Sequence, residues 1–450
     1  MIYVFCICIG LILLALGWYY RYRFISFCKN ETTNDMGFFD LEGYTDKSSY
    51  IAGETVELFV YSNFKDTQYS IKSIIGNQEI SVGDDVIIGI QDQIHPDNQS
   101  VEGCHWQLTK KIDLPKDIVQ GYYQIVLSSD QGKKIFSIPF IVSSNITAKI
   151  IILAPVSTWN AYNPWGGKSL YQNKYENKTV YKVSTLRPNT AFQLNHSIKT
   201  EANITDWFTK NYEAVTVYPD YYLESRSELF AQCALVVLAY HCEYVSRSMY
   251  DQLQNIISKG ASMISLGANQ LYWVTQWNND HTQMECRKDL TSFDNSFAYG
   301  GLWKHHFRKQ EALCGARYTG SGMHTFAPYA VTRADHWLFK NTNVKNGDLF
   351  GINGVSGRPI SGAETDKHSS ASGNIEIIAH GLNCDNESQG TIYNSDRSIW
   401  NGEGGADILL KPLPNGNAVL STGSIESGAG LGYDEVFTTI VKNFIERYAA

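Results

Sequence analysis

Three uninterrupted apolar runs set the terms for the second half of this chain. They read "KIIIL" (149–153), "ALVVLAYH" (234–241) and "SMISLGAN" (262–269). A strand with one face in water alternates polar and apolar residues. A strand that is apolar throughout needs cover on both faces, as in a parallel sheet flanked by helices. Helical patterns lie between the runs. "ITDWFTKNYE" (204–213) is one, followed by the strand-like "AVTVYP" (214–219). "SRSMYDQLQNIISKG" (246–260) is another, with Met249, Leu253, Ile256 and Ile257 on one helical face and Gly260 at its end. Order returns late in the chain with "NIEIIAH" (374–380), "ADILLKP" (406–412) and "NAVLSTGSI" (417–425). A closing amphipathic helix carries Val436, Phe437, Ile440, Val441, Phe444 and Ile445. The alternation predicts an α/β domain over residues 146–450, with a doubly wound, mostly parallel sheet. Residues 270–372 are irregular and rich in Gly, aromatics and His, and are read as short strands and lids around that sheet.

The front of the chain has a different period. "ETVELFVYS" alternates, and "YSIKSII" (69–75), "GYYQIVLSS" (121–129) and "KKIFSIPFIV" (133–142) follow at the spacing of a small sandwich. An immunoglobulin-like β-sandwich is expected over 44–145, after a polar linker at 24–43, and is read as a spacer or binding module. Residues 2–20 carry no charged side chain, and Arg21 and Arg23 follow. The expectation is a transmembrane segment within 1–23, making a single-pass membrane protein, or a secreted one if the segment is cleaved. Its orientation stays open, because the flanking arginines and the Asn-X-Ser/Thr sequons argue in opposite directions. Of nine cysteines, Cys286 and Cys314 are the first choice for a pair in an exported domain, and no CxxC occurs. With a net charge of −8 and no basic block, nucleic acid is not an expected partner. A homo-oligomer is compatible with the sequence.

Ligands of open α/β sheets, including those of the flavodoxin and glutamine amidotransferase kinds, sit beyond the carboxyl ends of the strands. The first apolar run is followed by "STWNAYNPWGGKSLY" (157–171), which holds Tyr162 and Tyr171. The next ends in "HCEYVS", with His241 and Glu243, and the third in "LGAN", with Asn269. Two phenols, a carboxylate, an imidazole and an amide therefore converge on one rim. Oxygen donors of this kind suit a hard cation such as Fe(III). Each residue also has an ordinary reading. A tyrosine beside Gly-Gly packs, Glu243 faces a helix N-terminus, and a lone histidine simply makes hydrogen bonds. Two other chemistries are considered. Cys242 stands where a thiol nucleophile would, although Glu243 beside it would raise the thiol pKa. Trp159, Trp165, Tyr171, Trp273 and Trp303 could instead form the stacking rim of a membrane-tethered carbohydrate- or peptide-binding protein.

"WNAYNPWGGKSLY", "HCEYVS", "GASMISLGANQLYW" and "NAVLSTGSI", in this order, resemble the large-subunit domain of N,N-dimethylformamidase and its relatives, over roughly 148–449. The front segment "GYTDKSSYIAGETVELFVYS" resembles the module that precedes this domain in many of them. The resemblance implies an amidohydrolase of small linear amides with one mononuclear iron per chain. It implies Tyr162, Tyr171 and Glu243 as ligands, with Tyr175 the alternative to Tyr171. His241 and Asn269 match residues around the iron or the substrate, and Glu364 in "SGAETD" resembles a glutamate that activates water. Three positions depart from the family pattern: Val245 replaces a Trp, Ala268 replaces the second Gly of "GGN", and Glu426 stands where an aromatic or small residue is usual.

Overall fold

A computed structural model describes residues 39–449 except 77, 81–87, 145–147, 192–197, 295 and 385–401. The chain is dominated by β-structure, with six sheets among the described residues. Two of these form the amino-terminal part. Leu41–Thr45, Thr55–Ser62 and Lys110–Asp113 make an antiparallel three-stranded sheet. Ser49–Ile51, Lys134–Ser143, Gly121–Ser129, Gln68–Ser73 and Glu79–Ile80 make a five-stranded one, in that spatial order. The alternation in Thr55–Ser62 turns Val56, Leu58 and Val60 inward, against Ile125, Leu127, Phe136 and Phe140 of the other sheet. The first strand begins at Leu41, inside the segment read as linker, because "LEGYT" is too short to show a period.

The central sheet has nine strands. Val215–Pro219, Ile150–Ala154, Leu235–Tyr240, Ser262–Gly267 and Ala418–Ser421 lie side by side and parallel. Asp407–Pro412, Glu376–Gly381, Tyr329–Val331 and Leu349–Phe350 then continue the sheet antiparallel. Successive residues of the apolar runs serve opposite faces. Ile150, Ile152, Leu235, Val237 and Ile264 join a core with Phe208 and Phe444 from the helices Ile198–Asn211 and Glu435–Tyr448. Ile151, Leu153, Val236 and Met263 join a second core with Met249 and Leu253 of the helix Arg247–Ser258.

The expectation of a doubly wound, mostly parallel α/β fold is therefore corrected to a mixed, β-rich architecture with few helices. The cause is physical. A strand covered on both faces is apolar whichever way its neighbour runs, so "ADILLKP" gives no hint that it returns as a hairpin onto Ala418–Ser421. The irregular stretch supplies Trp273–Trp277 and Gln283–Cys286, which join Lys182–Ser184 and Tyr244–Ser246 in a four-stranded sheet, together with short two-stranded ladders.

The single-pass membrane reading is also corrected. No helix among the described residues is long and apolar enough to cross a membrane, and segment 2–20, on which that reading rested, lies outside them. Cys286 and Cys314 are separate buried thiols, not a disulfide.

Candidate functional site

The site is assembled at the ends of two central strands and of the short strand Ser361–Gly362, and at each of these ends the backbone makes a costly turn. Tyr240, Asn269 and Ala363 all have positive φ, at 60°, 49° and 67°. This left-handed region costs a non-glycine residue about 1 kcal/mol or more. Tyr240 stands immediately before His241, Ala363 immediately before Glu364, and Asn269 is itself a site residue. Tyr240 and Ala268 pack with Ile425, and Ala363 lies against them, so the turns are held by a small apolar cluster. The strands approach so closely here that a Cβ on Gly267 would come within 1.7 Å of the Tyr240 carbonyl oxygen.

Tyr162 ends the short helix Val156–Tyr162 that follows the first central strand. Tyr171 lies nine residues further on, after the turn Trp165–Gly167. The Tyr171 hydroxyl is 3.0 Å from the Tyr162 hydroxyl and donates to Glu243 Oε1 at 2.9 Å. The Glu243 N–H donates to Thr158 Oγ1, which ties the carboxylate strand to the tyrosine helix. Asn269 Nδ2 donates to Glu364 Oε2 at 2.7 Å and reaches Glu243 Oε1 at 3.4 Å. His241 Nε2 is 3.6 Å from Glu243 Oε2 and 3.9 Å from Glu364 Oε2. All six residues singled out in the sequence thus meet in one cluster. Tyr175 does not join it, and its ring stands against Gly167.

Burial is the main electrostatic force in the cluster. It raises the phenols of Tyr162 and Tyr171 well above their ordinary value, and the Glu243 charge raises them further, although Tyr171 as a residue is half-exposed. Glu243 and Glu364 are both pushed above the usual carboxylate range by burial. The Lys288 charge and hydrogen bonds from Tyr162 and Tyr171 oppose this at Glu243, while Glu243 itself adds to it at Glu364. Burial likewise raises Asp366 to about 7, and Asp366 accepts the Asn269 N–H at 2.8 Å.

The donor set fits a cation. Adjacent oxygens on an ion with bonds of about 2 Å are separated by about 3 Å, which is the spacing of the Tyr171 hydroxyl from the Tyr162 hydroxyl on one side and the Glu243 carboxylate on the other. Among the described residues no three His, Cys, Asp or Glu side chains gather as a metal site, so an ion here would depend on the tyrosines.

Several neighbours were not found in the sequence. Tyr244 lies edge-on beneath both phenol rings, at 6.3 Å from each. Lys288 holds its ammonium 3.4 Å from the centre of the Tyr171 ring. Tyr244 could have been noticed within "HCEY", but Lys288 stands in the irregular stretch and no local pattern marks it.

The alternative chemistries lose their geometry. The Cys242 thiol is buried and turned toward the carbonyls of Leu153 and Ala239, and burial drives its pKa upward. Of the five aromatics proposed as a stacking rim, Trp159, Trp165 and Trp303 are buried in the core. Glu426, one of the departures from the family pattern, is buried 3.6 Å from Arg358.

A family model described as N,N-dimethylformamidase beta subunit-like, C-terminal, matches residues 82–439. No curated protein matches the chain. Among solved structures, the chain is similar at 10% identity to a family 123 glycoside hydrolase from Clostridium perfringens studied for glycolipid glycan hydrolysis. That similarity covers 55% of this chain and 48% of the other, about half its length, with a TM-score of 0.12. A likeness of that size supports no inference.

Proposed function

We infer the function from one premise: the chain belongs to the N,N-dimethylformamidase beta subunit-like family, whose match takes in every residue of the cluster described above. Our reading is a hydrolase that cleaves the C–N bond of a small amide with the help of one iron ion. The observation that carries it is the approach of the Tyr171 hydroxyl to about 3 Å of both the Tyr162 hydroxyl and the Glu243 carboxylate, with a second carboxylate, Glu364, joined to the same cluster through Asn269.

Tyr162, Tyr171 and Glu243 would hold the iron. Iron bound there supplies a Lewis acid able to polarise an amide carbonyl. The anionic character of phenolates and carboxylate favours the ferric state. Glu364 is the proton acceptor for the attacking water. Its raised pKa brings its basicity closer to neutral pH, where general bases work best. Asn269 keeps Glu364 in one orientation through its 2.7 Å hydrogen bond, and with His241 offers hydrogen bonds to the oxyanion that develops on the substrate. Burial of His241, Asn269 and Glu243 keeps bulk water away from them and strengthens each interaction.

The test uses the full chain produced aerobically. Iron per chain and amine release from simple linear amides are measured for wild type and for Glu243→Ala. One iron per wild-type chain, lost together with turnover in the variant, is the expected result. A wild-type chain that binds no iron would remove the basis of the reading.

A further inference from the structure

Arg187 is 2% exposed, yet no carboxylate faces it among the described ion pairs. Its five N–H groups go to main-chain carbonyls instead. Nε donates to Ser184 at 3.0 Å. Nη1 donates to Trp165 at 2.9 Å and Lys168 at 3.1 Å. Nη2 donates to Asn160 at 3.4 Å and Asn163 at 3.2 Å. A buried cation is expensive, and one that uses every donor on backbone oxygens is suited to holding a chain segment in shape. The carbonyls are the informative part. Asn160 and Asn163 bracket Tyr162 at the end of its helix, where carbonyls have few intrahelical partners; the Asn160 carbonyl accepts a long 3.4 Å bond from the Asn163 N–H besides that from Arg187. Trp165 and Lys168 lie in the turn that leads to Tyr171.

The same turn is gripped from the amino-terminal sheets. Trp165 is buried, and its Nε1–H donates to Glu42 Oε2 at 2.6 Å. Glu42 belongs to the first strand, Leu41–Thr45. Ser100 Oγ lies 3.5 Å and 3.4 Å from the carbonyl oxygens of Trp165 and Gly166. The turn needs such support. Gly166 and Gly167 both have positive φ, at 71° and 76°, and little regular structure holds residues 163–172.

We propose that Arg187, with Glu42 acting through Trp165, is the positioning residue of the tyrosine loop: it fixes the span between Tyr162 and Tyr171 so that their hydroxyls meet at Glu243, and so makes the amino-terminal sheets part of the support of the site. The consequence for metal binding rests on the iron reading above, but the loop geometry does not. Lysine cannot replace the arginine, since an ammonium presents three donors from one point and cannot span five carbonyls on separate residues.

The experiment separates the two. Full-length wild type and Arg187→Lys are labelled with 3-fluorotyrosine, and the fluorine resonances of Tyr162 and Tyr171 are assigned by Tyr→Phe substitution. Spectra are recorded without metal, with Tyr329 as a remote reference. Iron affinity is then measured by chelator competition, along with the visible phenolate-to-Fe(III) absorption. In Arg187→Lys the Tyr162 and Tyr171 resonances are expected to move or broaden while Tyr329 stays in place. Iron affinity is expected to fall roughly 10–100-fold, as when groups supporting a metal's ligands are lost. Unchanged Tyr162 and Tyr171 resonances in a folded variant overturn the proposal. If wild type binds no iron, the iron reading fails and the metal-free spectra still decide this one. If Arg187→Lys does not fold, Trp165→Phe keeps a ring in place and removes only the donor to Glu42. The same two resonances are then read, and their constancy again refutes the proposal.

Discussion

Asn269 shows how much one side chain does here. Its main-chain N–H is held by Asp366, its backbone turns through φ 49°, and its amide bridges toward both Glu364 and Glu243. Asn269→Ala would leave the partly buried Glu364 without its closest donor and remove a candidate oxyanion partner. A fall in kcat of about 10²-fold is expected, with a smaller change in KM, measured by steady-state amine release. The phenols make a second prediction at this scale. Burial and the nearby Glu243 charge keep Tyr162 and Tyr171 protonated far above neutral pH, so an ion binds only as these protons leave. Iron affinity must therefore rise with pH. Chelator competition at pH 6 and pH 8 is expected to show tighter binding at the higher value, and a flat or inverted dependence would argue against phenolate ligation.

Among the elements, the strand ends carry the strain. Ala363 at φ 67° precedes Glu364, between the short strands Ser361–Gly362 and Asp366–Lys367. Ala363→Gly relieves a left-handed alanine, which costs about 1–2 kcal/mol, and gives back part of that as unfolded-chain entropy. A gain of up to about 1 kcal/mol in urea unfolding is expected, together with slower turnover as Glu364 loses its fixed approach. Gly267→Ala should do the opposite. Its Cβ would collide with the Tyr240 carbonyl oxygen, so two adjacent strands would have to separate. A loss of about 1–3 kcal/mol is expected, measured by the same unfolding transition. Ala268, which replaces the second glycine of the family pattern, is fully buried in the cluster with Tyr240 and Ile425, so this departure is accommodated by packing.

On the scale of the whole molecule, Glu42 links the amino-terminal sheets to the site. Burial raises its carboxyl to about 8, against the lowering effect of the Trp165 hydrogen bond. The folded chain therefore keeps this proton up to about pH 8, while the unfolded chain releases it near 4.5. Between those values the unfolded state binds fewer protons, so the contribution of Glu42 is complete at low pH and is lost as pH rises. Glu42→Gln retains an acceptor for Trp165 and removes the titration. Its melting temperature should fall less between pH 5 and pH 8 than that of wild type, by on the order of 1 °C per pH unit. An identical slope in both proteins would show that Glu42 is ionised in the fold.

What could be read from the sequence alone was whatever local pattern encodes. The unbroken apolar runs placed the central strands, and the four ordered motifs placed the family and five residues of one cluster, with Glu364 of "SGAETD" the sixth. Tyr162 and Glu243 were legible because each follows directly on a strand or its helix, and Glu364 only through the family motif. The direction of the neighbouring strands was not legible, because burial on both faces erases the difference between parallel and antiparallel neighbours. Nor was the part played by Lys288, Arg187 or Glu42. Each acts on residues distant in the chain, and only folding brings a buried guanidinium to the carbonyls of a loop, or an acid from the first strand to the indole of Trp165.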